Sequence, residues 1–340
     1  MPSDEPSRPY NWRPKSLAKL KLMLLDILLL LAGLCLVVFG ADYLVDGASA
    51  IARRFGLSEF VIGLTIVGMG TSAPEMVVSF IGAAGGNADI SVGNVVGSNI
   101  FNTLLILGIT GILLPMAITP DNRKKDIPMN IVITALLILL GFKQTIFGIG
   151  TNGLTRVDGG ILLLLFVIYM WKSFASGTPE EKADEGARPL KLGWAILMIA
   201  GGLAALIFGG NLFVDSATGI AHRLGVSDKF IAITILAGGT SMPELATCVA
   251  AAVKKKGQLA LGNIIGSNIF NVLLILGGSA LIHPLSFEGI SYVDMGVLLV
   301  SALVLWTSCL VGKKNMLDRL DGAFLVLIWG AYMAYLIVNL

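Results

Sequence analysis

Charged side chains are scarce in this chain of 340 residues. Asp, Glu, Lys and Arg together make up only 14% of it, whereas a soluble globular chain carries about 25%. Hydrophobic residues account for 55%, and the mean hydropathy is +0.84. The formal net charge is only +2, which argues against a nucleic-acid partner. The composition therefore indicates an integral membrane protein.

Cysteine and histidine are also rare. The three cysteines, Cys35, Cys248 and Cys309, lie in apolar segments without metal-ligand spacing, so we interpret them as small hydrophobic residues. The chain has two histidines, and neither forms a nucleophile–histidine pair with a motif residue. We therefore expect neither an enzyme, such as an intramembrane hydrolase that uses two acids, nor a bound cofactor.

Long apolar runs predict ten transmembrane helices, because a helix needs about 20 apolar residues to cross a bilayer. A polar tail (1–21) precedes them, and an exposed linker (174–191) rich in Gly, Pro and charge separates two halves. The prediction is an all-α membrane protein with five-helix repeats at 22–173 and 192–340. The predicted spans are 22–52, 59–81, 90–113, 127–143, 157–173, 192–221, 229–252, 258–281, 291–311 and 321–338.

One segment of 46 residues occurs twice. Residues 63–108 and 232–277 align without a gap at an offset of 169, and 21 of the 46 positions are identical. The shared motifs, GTSxPE and GN(V/I)(V/I)GSNIFN, place polar groups inside apolar sequence, where such groups are costly and usually functional. Since five helices are an odd number, the second copy enters the membrane from the opposite side. The repeat therefore predicts one site built from two inverted halves.

The first motif lies at residues 68–76 (GMGTSAPEM). Pro74 has no N–H, so it kinks the helix and frees the carbonyl four residues before it. Thr71 and Glu75 share one helix face, with Ser72 beside them. The segment thus offers free carbonyls, hydroxyls and a carboxylate in a small space. The second copy supplies Gly239, Thr240, Ser241, Pro243 and Glu244.

The second motif lies at residues 93–102 (GNVVGSNIFN). Asn94, Ser98 and Asn102 follow an i, i+4, i+8 path and form a polar stripe. Gly93 and Gly97 permit close approach of another helix backbone. The second copy supplies Asn263, Ser267, Asn271, Gly262 and Gly266.

Around one pseudo-two-fold axis these helices form a cage of oxygen ligands with two carboxylates, Glu75 and Glu244. Histidine and cysteine are absent from both motifs, so the donor set does not suit zinc or copper. Hard oxygen ligands suit calcium, sodium or magnesium, and sodium ions or protons could replace a divalent ion. We interpret four further asparagines as packing groups or as groups that support the ligands: Asn94, Asn99, Asn263 and Asn268. Asp46 and Asp215 are expected to be structural, paired with nearby arginines or solvated, and Lys254–Lys256 to anchor the protein at the membrane surface.

The paired motifs resemble the alpha repeats of the sodium/calcium exchanger family, within the calcium:cation antiporter superfamily. The resemblance covers about residues 22–340, and the short linker is similar to that of prokaryotic members. It implies ten transmembrane helices and alternating access, in which the long first and sixth helices slide against the other eight. It also implies a set of calcium and sodium ligands, with backbone carbonyls from the threonines, the glycine and the alanine: Glu75, Glu244, Thr71, Thr240, Ser72, Ser241, Ser98, Ser267, Asn102, Asn271, Gly68 and Ala237.

One departure from the family pattern concerns the last asparagine of the second motif. Some family members carry aspartate at one of the positions matching Asn102 and Asn271, whereas this chain has asparagine at both. We expect a secondary antiporter that exchanges calcium for sodium. Proton-coupled or potassium-dependent exchange and a passive cation channel remain alternatives. The expected partners are calcium ions, sodium ions and the lipid bilayer, with neither nucleic acid nor an obligate protein partner.

Lysine and arginine predict the orientation. Of the 24 lysine and arginine residues, nine lie on the predicted side that holds both termini, and fifteen lie on the other side. The side richer in positive charge is expected to be cytoplasmic. We therefore expect a multi-pass protein of the inner (plasma) membrane with both termini outside and the 174–191 linker in the cytoplasm, although the basic N-terminal tail favours the opposite orientation.

Overall fold

Helices dominate the computed structural model, which describes residues 13–175, 190–225, 237–287, 290–311 and 315–339. Most of the predicted linker, the first twelve residues of the predicted tail and the start of the seventh predicted span lie outside these ranges. The described residues contain ten apolar helical segments: α1 (Arg13–Phe55), α2 (Glu59–Thr71 with Ala73–Ala84), α3 (Ala88–Leu113), α4 (Asn122–Asp126 continuing as Ile127–Gly141), α5 (Arg156–Ala175), α6 (Leu192–Arg223), α7 (Ala237–Gly239 with Met242–Val253), α8 (Gly257–Ile282), α9 (Tyr292–Val311) and α10 (Arg319–Val338).

Most of these segments are long enough to span a membrane. Seven helices are long and apolar enough to cross a membrane unbroken, and the bent α2 is an eighth within the described residues. α4 opens with a charged π-helical turn, Asn122–Asp126, which shortens its apolar part. α1 begins at Arg13, inside the stretch predicted as a polar tail, because helix-favouring lysine and leucine continue the apolar run towards the N-terminus.

Short strands lie in the connections between helices and form antiparallel pairs. β1 (Met116–Ala117), which follows α3, pairs with β4 (Met316–Leu317), which precedes α10. β2 (Gly153–Leu154), which precedes α5, pairs with β3 (Leu285–Ser286), which follows α8. Each pair therefore links a connection of the first half to a connection of the second half.

The positions of β1 and β3 reveal the inversion of the two repeats. They lie 169 residues apart and are thus equivalent in the two halves. The side chain of Gln258, at the start of α8, donates a hydrogen bond to the carbonyl of Ala117 in β1. β3 follows the other end of the same helix, after Ile282. Since α8 spans the membrane, the equivalent strands lie at opposite faces.

Burial differs strongly between the helices. In α8, 94% of the apolar window is buried, and in α3 72%, whereas the values are 11% for α1, 22% for α6, 17% for α5, 33% for α9 and 11% for α10. Glycine sets the distance between α8 and α2: a Cβ at Gly262 would lie 2.9 Å from Leu64 N, and one at Gly266 would lie 2.6 Å from Leu64 Cα. This is the close approach that small residues permit. α2 and α8 thus form part of a tightly packed core that α1 and α6 flank.

Glycine also joins α1 to α6. A Cβ at Gly33 would lie 2.8 Å from the carbonyl oxygen of Gly209, and one at Gly40 would lie 2.8 Å from that of Gly202. As the residue number rises along α1 it falls along α6, so the two helices are antiparallel. Backbone contact at both levels favours movement of α1 and α6 as one unit, which we name the α1–α6 pair.

Lysines of the α7–α8 connection bind α1. Lys254 Nζ lies 2.6 Å from Asp42 Oδ1 and 2.7 Å from Asp46 Oδ1. Lys256 contacts Ser49 of α1 and also pairs with Glu59, the first residue of α2, at 3.1 Å. The sequence predicted arginine or solvent for Asp46 and a membrane anchor for the lysines. The partner of Asp46 is instead a lysine, because the fold brings this connection to the end of α1. Asp215, its counterpart in the second repeat, is exposed.

Candidate ion-binding site

Matching breaks in α2 and α7 open the helix backbone near the centre of the molecule. The two parts of α2 meet at 48° around Ser72, whose φ and ψ are −81° and 9°. In α7 the break falls at Ser241, with −88° and 9°. Pro74 and Pro243 stand in the first turn after each break, where proline needs no backbone donor. The predicted kink is therefore present in both repeats.

The two glutamates follow these breaks and are fully buried, each 0% exposed. Ser72 Oγ donates to Glu244 Oε1 at 2.9 Å, and Ser241 Oγ donates to Glu75 Oε1 at 3.2 Å. Each carboxylate is therefore bound by the serine of the other repeat. Ser98 Oγ, on α3, lies 3.5 Å from Glu75 Oε1. The repeats thus meet at one pair of carboxylates.

Hydroxyl and carbonyl groups surround this pair. Thr71 Oγ1 donates to Asn263 Oδ1 at 3.2 Å and lies 3.4 Å from the carbonyl oxygen of Gly68. Ser267 Oγ donates to the same carbonyl at 3.3 Å. The side chain of Thr240 reaches the carboxylate of Glu75.

Ala237, the counterpart of Gly68, is the first residue of α7 in the described structure. Only its backbone is described, and the residues just before it lie outside the described ranges. Ala237 therefore lies at the start of the helix that carries Glu244. Contacts link nine of the other predicted residues: Glu75, Glu244, Ser72, Ser241, Ser98, Ser267, Thr71, Thr240 and Gly68.

The asparagines that end the second motif lie in π-helical turns. These turns span Phe101–Ile106 in α3 and Asn271–Leu276 in α8. Asn102 Nδ2 donates to Asn268 Oδ1 at 3.3 Å, and Asn271 Nδ2 donates to Asn99 Oδ1 at 2.9 Å. Such wide turns are frequent at functional sites. Asn102 lies one helical turn beyond Ser98, whose hydroxyl contacts Glu75, and Asn271 lies one turn beyond Ser267, whose hydroxyl contacts the carbonyl of Gly68.

Four buried oxygens of this cluster have no hydrogen-bond donor among the described residues: Glu75 Oε2, Glu244 Oε2, Asn102 Oδ1 and Asn271 Oδ1. They form two repeat-matched pairs. A buried polar atom without a partner costs about 1–3 kcal/mol, and a cation held by the residues of this cluster would satisfy acceptors from both repeats. Oxygen ligands with two formal negative charges fit calcium or sodium. No group of three or more His, Cys, Asp or Glu side chains occurs in the described part of the chain, so two carboxylates carry the charge of this cage.

Two further asparagines contact the cluster, and of the two roles that the sequence left open for them, packing or support of the ligands, these contacts favour the second. Asn94 Nδ2 donates to the carbonyl of Glu75 at 3.2 Å and to Ser79 Oγ at 3.1 Å. Asn263, its counterpart, accepts from Thr71 and donates to Cys248 Sγ at 3.3 Å. They hold the backbone and the hydroxyls around the carboxylates. The polar stripe of α3 was the signal for this role, since it includes Asn94.

Comparison with known proteins adds the family context. Residues 25–175 and 194–338 match the family described as sodium/calcium exchanger protein. The putative antiporter CaxA of Alkalimonas amylolytica is 38% identical over 317 residues, which cover 91% of this chain and 98% of that protein. The sodium/calcium exchanger MaX1 of Methanosarcina acetivorans is 33% identical over 347 residues, covering 92% of this chain and 98% of that protein.

A solved structure shares the fold. The sodium-calcium exchanger NCX_Mj, soaked with 10 mM Na+ and zero Ca2+, matches with a TM-score of 0.80 at 32% identity, covering 92% of this chain and 99% of that one. NCX_Mj is an all-α membrane protein with ten helices. The predicted fold class, ten transmembrane helices in two inverted repeats, is thereby confirmed.

Proposed function

The chain belongs to the sodium/calcium exchanger family, and from this premise we propose that it exchanges calcium for sodium across a membrane by secondary active antiport. The four buried oxygens without donors are the observation that carries the proposal. Because both repeats contribute equally to one small cage, calcium and sodium compete for the same oxygens. Release of one ion is then a condition for binding the other, and the sodium gradient drives calcium transport.

The proposed ligands are the twelve residues predicted from the sequence. Glu75 and Glu244 supply two negative charges, which balance one calcium ion or two sodium ions. Uncompensated charge is strongly disfavoured away from water, so this balance limits what the cage can hold. The remaining ligands are neutral oxygens from side chains and, at the threonines, Gly68 and Ala237, from the backbone: Ser72, Ser241, Ser98, Ser267, Asn102, Asn271, Thr71, Thr240, Gly68 and Ala237.

Alternating access is proposed to arise from sliding of the α1–α6 pair over the core. The pair is joined by glycine contacts and is far less buried than α3 and α8. The ion pairs of Lys254 with Asp42 and Asp46 hold one end of α1 to the α7–α8 connection. Breaking these pairs is expected to open the site towards that face.

The proposed location is the inner (plasma) membrane, with both termini outside and the 174–191 linker in the cytoplasm. The fifteen lysines and arginines on the linker side support this orientation. The proposed units are the 1–21 tail and the repeats 22–173 and 192–340. In this orientation, Lys254 and the end of α1 that it binds face the cytoplasm.

A proton-coupled exchanger on the same scaffold is the second candidate. Two buried carboxylates share one cage, and hydroxyl groups donate hydrogen bonds to both of them. Close carboxylates of this kind repel each other when both are ionised, so protons can take the place of a leaving cation. The same residues would then exchange calcium for protons.

Flux measurements separate these candidates. Purified protein in proteoliposomes is given external calcium with an outward gradient of sodium, protons or potassium, one at a time, and calcium uptake is followed. The proposal predicts rapid uptake with the sodium gradient alone. Uptake that requires a pH gradient would establish the second candidate, and uptake without any counter-gradient would indicate a passive channel.

A further inference from the structure

Four asparagines form two cross-repeat pairs beside the ion cage. Asn271 Nδ2 donates to Asn99 Oδ1 at 2.9 Å, and Asn102 Nδ2 donates to Asn268 Oδ1 at 3.3 Å. We name these contacts the asparagine pairs. All four side chains are at most 2% exposed. In each pair one member, Asn271 or Asn102, keeps a buried Oδ1 without a donor.

The orientation of a carboxamide decides what it offers to a cation. One end of the group is an acceptor oxygen and the other is an NH2 with two donors, and the two ends have nearly the same shape. Rotation of Asn271 by half a turn would direct its NH2 at the cage. A partner that can only accept, such as a carboxamide oxygen, prevents this rotation because it must receive the NH2.

The Asn99–Asn271 pair is anchored on the backbone. Asn99 Nδ2 donates to the carbonyl oxygen of Asn268 at 3.1 Å. That carbonyl can only accept, so the Nδ2 of Asn99 faces it and the Oδ1 of Asn99 faces Asn271. Asn271 in turn directs its own oxygen away from Asn99. Each contact thus fixes the next, from the backbone carbonyl of Asn268 on α8, through Asn99, to the carboxamide of Asn271 at the cage.

The Asn268–Asn102 pair ends on a hydroxyl. Asn268 Nδ2 donates to Thr103 Oγ1 at 2.8 Å, and Asn268 Oδ1 accepts from Asn102. Because a hydroxyl can donate as well as accept, this end fixes the carboxamide less firmly than the backbone carbonyl does in the other pair. Both pairs connect α3 to α8, so each repeat orients a carboxamide of the other. This explains why asparagine occurs at both positions of GSNxxN in both motifs: the first is needed to orient the second of the opposite repeat.

We propose that Asn99 and Asn268 are positioning residues that hold the carboxamide oxygens of Asn271 and Asn102 towards the transported cation. The role rests on the proposed function, since it requires a cation in the cage. Neither residue needs to touch the ion. They act through their partners, and they also link the two repeats at the level of the site.

Leucine substitution tests this role, because leucine has as many side-chain heavy atoms as asparagine, branches at the same carbon and removes the acceptor. In Asn99→Leu and Asn268→Leu, the partner carboxamide is free to turn its NH2 to the cage. Loss of a residue that orients a metal ligand typically weakens metal affinity by about 10- to 100-fold. We expect a loss of this size in the Kd for calcium, measured by equilibrium binding of radioactive calcium to the purified full-length protein.

A double-mutant cycle distinguishes positioning from packing. If Asn99 acts through Asn271, then Asn99→Leu has no further effect on the calcium Kd in an Asn271→Ala background, since the group that it orients is gone. In an Asn102→Ala background, Asn99→Leu keeps most of its effect. Equal losses in both backgrounds would overturn the proposal, because a packing defect does not select its partner.

Asn130→Leu is the matched control. Asn130 is a buried asparagine of α4, outside the asparagine pairs, and is 4% exposed. Its substitution is expected to change the midpoint of thermal unfolding without changing the calcium Kd. Should Asn99→Leu fail to fold, Asn99→Ala replaces it with the same expectation. A wild-type calcium Kd in a folded Asn99 variant, with only the unfolding temperature lowered, would overturn the positioning role.

The wild-type protein separates failure of this role from failure of the proposed function. Wild-type protein that binds neither calcium nor sodium would overturn both. Wild-type protein that binds calcium, together with Asn99 and Asn268 variants of unchanged Kd, would overturn the positioning role alone.

Discussion

Substitution of Glu244 by glutamine alters the charge of the ion cage while conserving its shape. Glu244 is 0% exposed, and its Oε1 accepts from Ser72 Oγ at 2.9 Å, a contact that the amide oxygen of glutamine also makes. The amide nitrogen then replaces Oε2, which has no donor in the described structure. Glu244→Gln therefore removes one of two negative charges and directs an NH2 at the cation.

The size of the effect follows from this geometry. Removing one partner of a buried ion pair costs about 3–5 kcal/mol. At about 1.4 kcal/mol for each tenfold change, the Kd for calcium should rise by roughly a hundred- to several thousandfold. The fold without calcium should persist, because the glutamine fills the same volume and keeps the bond to Ser72. Glu75→Gln should behave alike, since Ser241 takes the place of Ser72.

Thermal unfolding with and without calcium measures this loss. A ligand at about 100 times its Kd stabilises the folded state by about 2.7 kcal/mol. Wild-type protein should show that gain, and both glutamine variants should lose nearly all of it at the same calcium concentration. Asp89→Asn is the control, because Asp89 is an exposed carboxylate in the first turn of α3. Wild-type calcium stabilisation in either glutamine variant would place the site elsewhere.

The other predictions concern charge balance, conformation and topology. Asn271→Asp adds a third acid to the cage, so exchange should become more dependent on pH or couple a different number of sodium ions; identical reversal conditions across pH and voltage would contradict this. Lys254→Gln should release α1 from the α7–α8 connection, whereas Lys255→Gln, at the exposed neighbouring residue, should not. A cysteine placed in the cage should therefore react faster with a reagent added at the face of that connection in the Lys254 variant only. Cysteines at Ala117 and Ser286, in a background without native cysteines, should react from opposite faces of the membrane, and reaction from one face would refute the inverted repeat.

Local patterns explain why much of the site was predictable from the sequence. A single proline in an apolar run would not suffice, but a proline followed by a glutamate, found twice at one offset, indicates broken helices and a shared site. Helical periodicity places Thr71 beside Glu75, and Ser98 beside Asn102. In the structure, Ser98 contacts Glu75, and Thr71 lies beside the carbonyl of Gly68, which Ser267 also binds. These contacts and breaks depend on residues close together along the chain, so the spacing of residues in the sequence predicts them.

Contacts between distant residues were not predictable in the same way. Ser72 and Glu244 are 172 residues apart, and Lys254 and Asp46 are further apart still. For Asn99 the sequence left packing and support of a ligand as alternatives, because its partner in α8 is identified only by the fold. The α1–α6 contact had a weak signal, since Gly33 and Gly40 recur as Gly202 and Gly209 at the repeat offset. Such partners require knowledge of how the repeats face each other.

Competition between calcium and sodium for one cage is the central claim, and equilibrium binding tests it most directly. Radioactive calcium is titrated into purified protein at a series of sodium concentrations. We expect one calcium ion per chain, a rise in the apparent calcium Kd as sodium increases, and complete displacement of calcium at saturating sodium. Calcium that stays bound at saturating sodium, or a second calcium ion per chain that sodium does not displace, would contradict a single shared site.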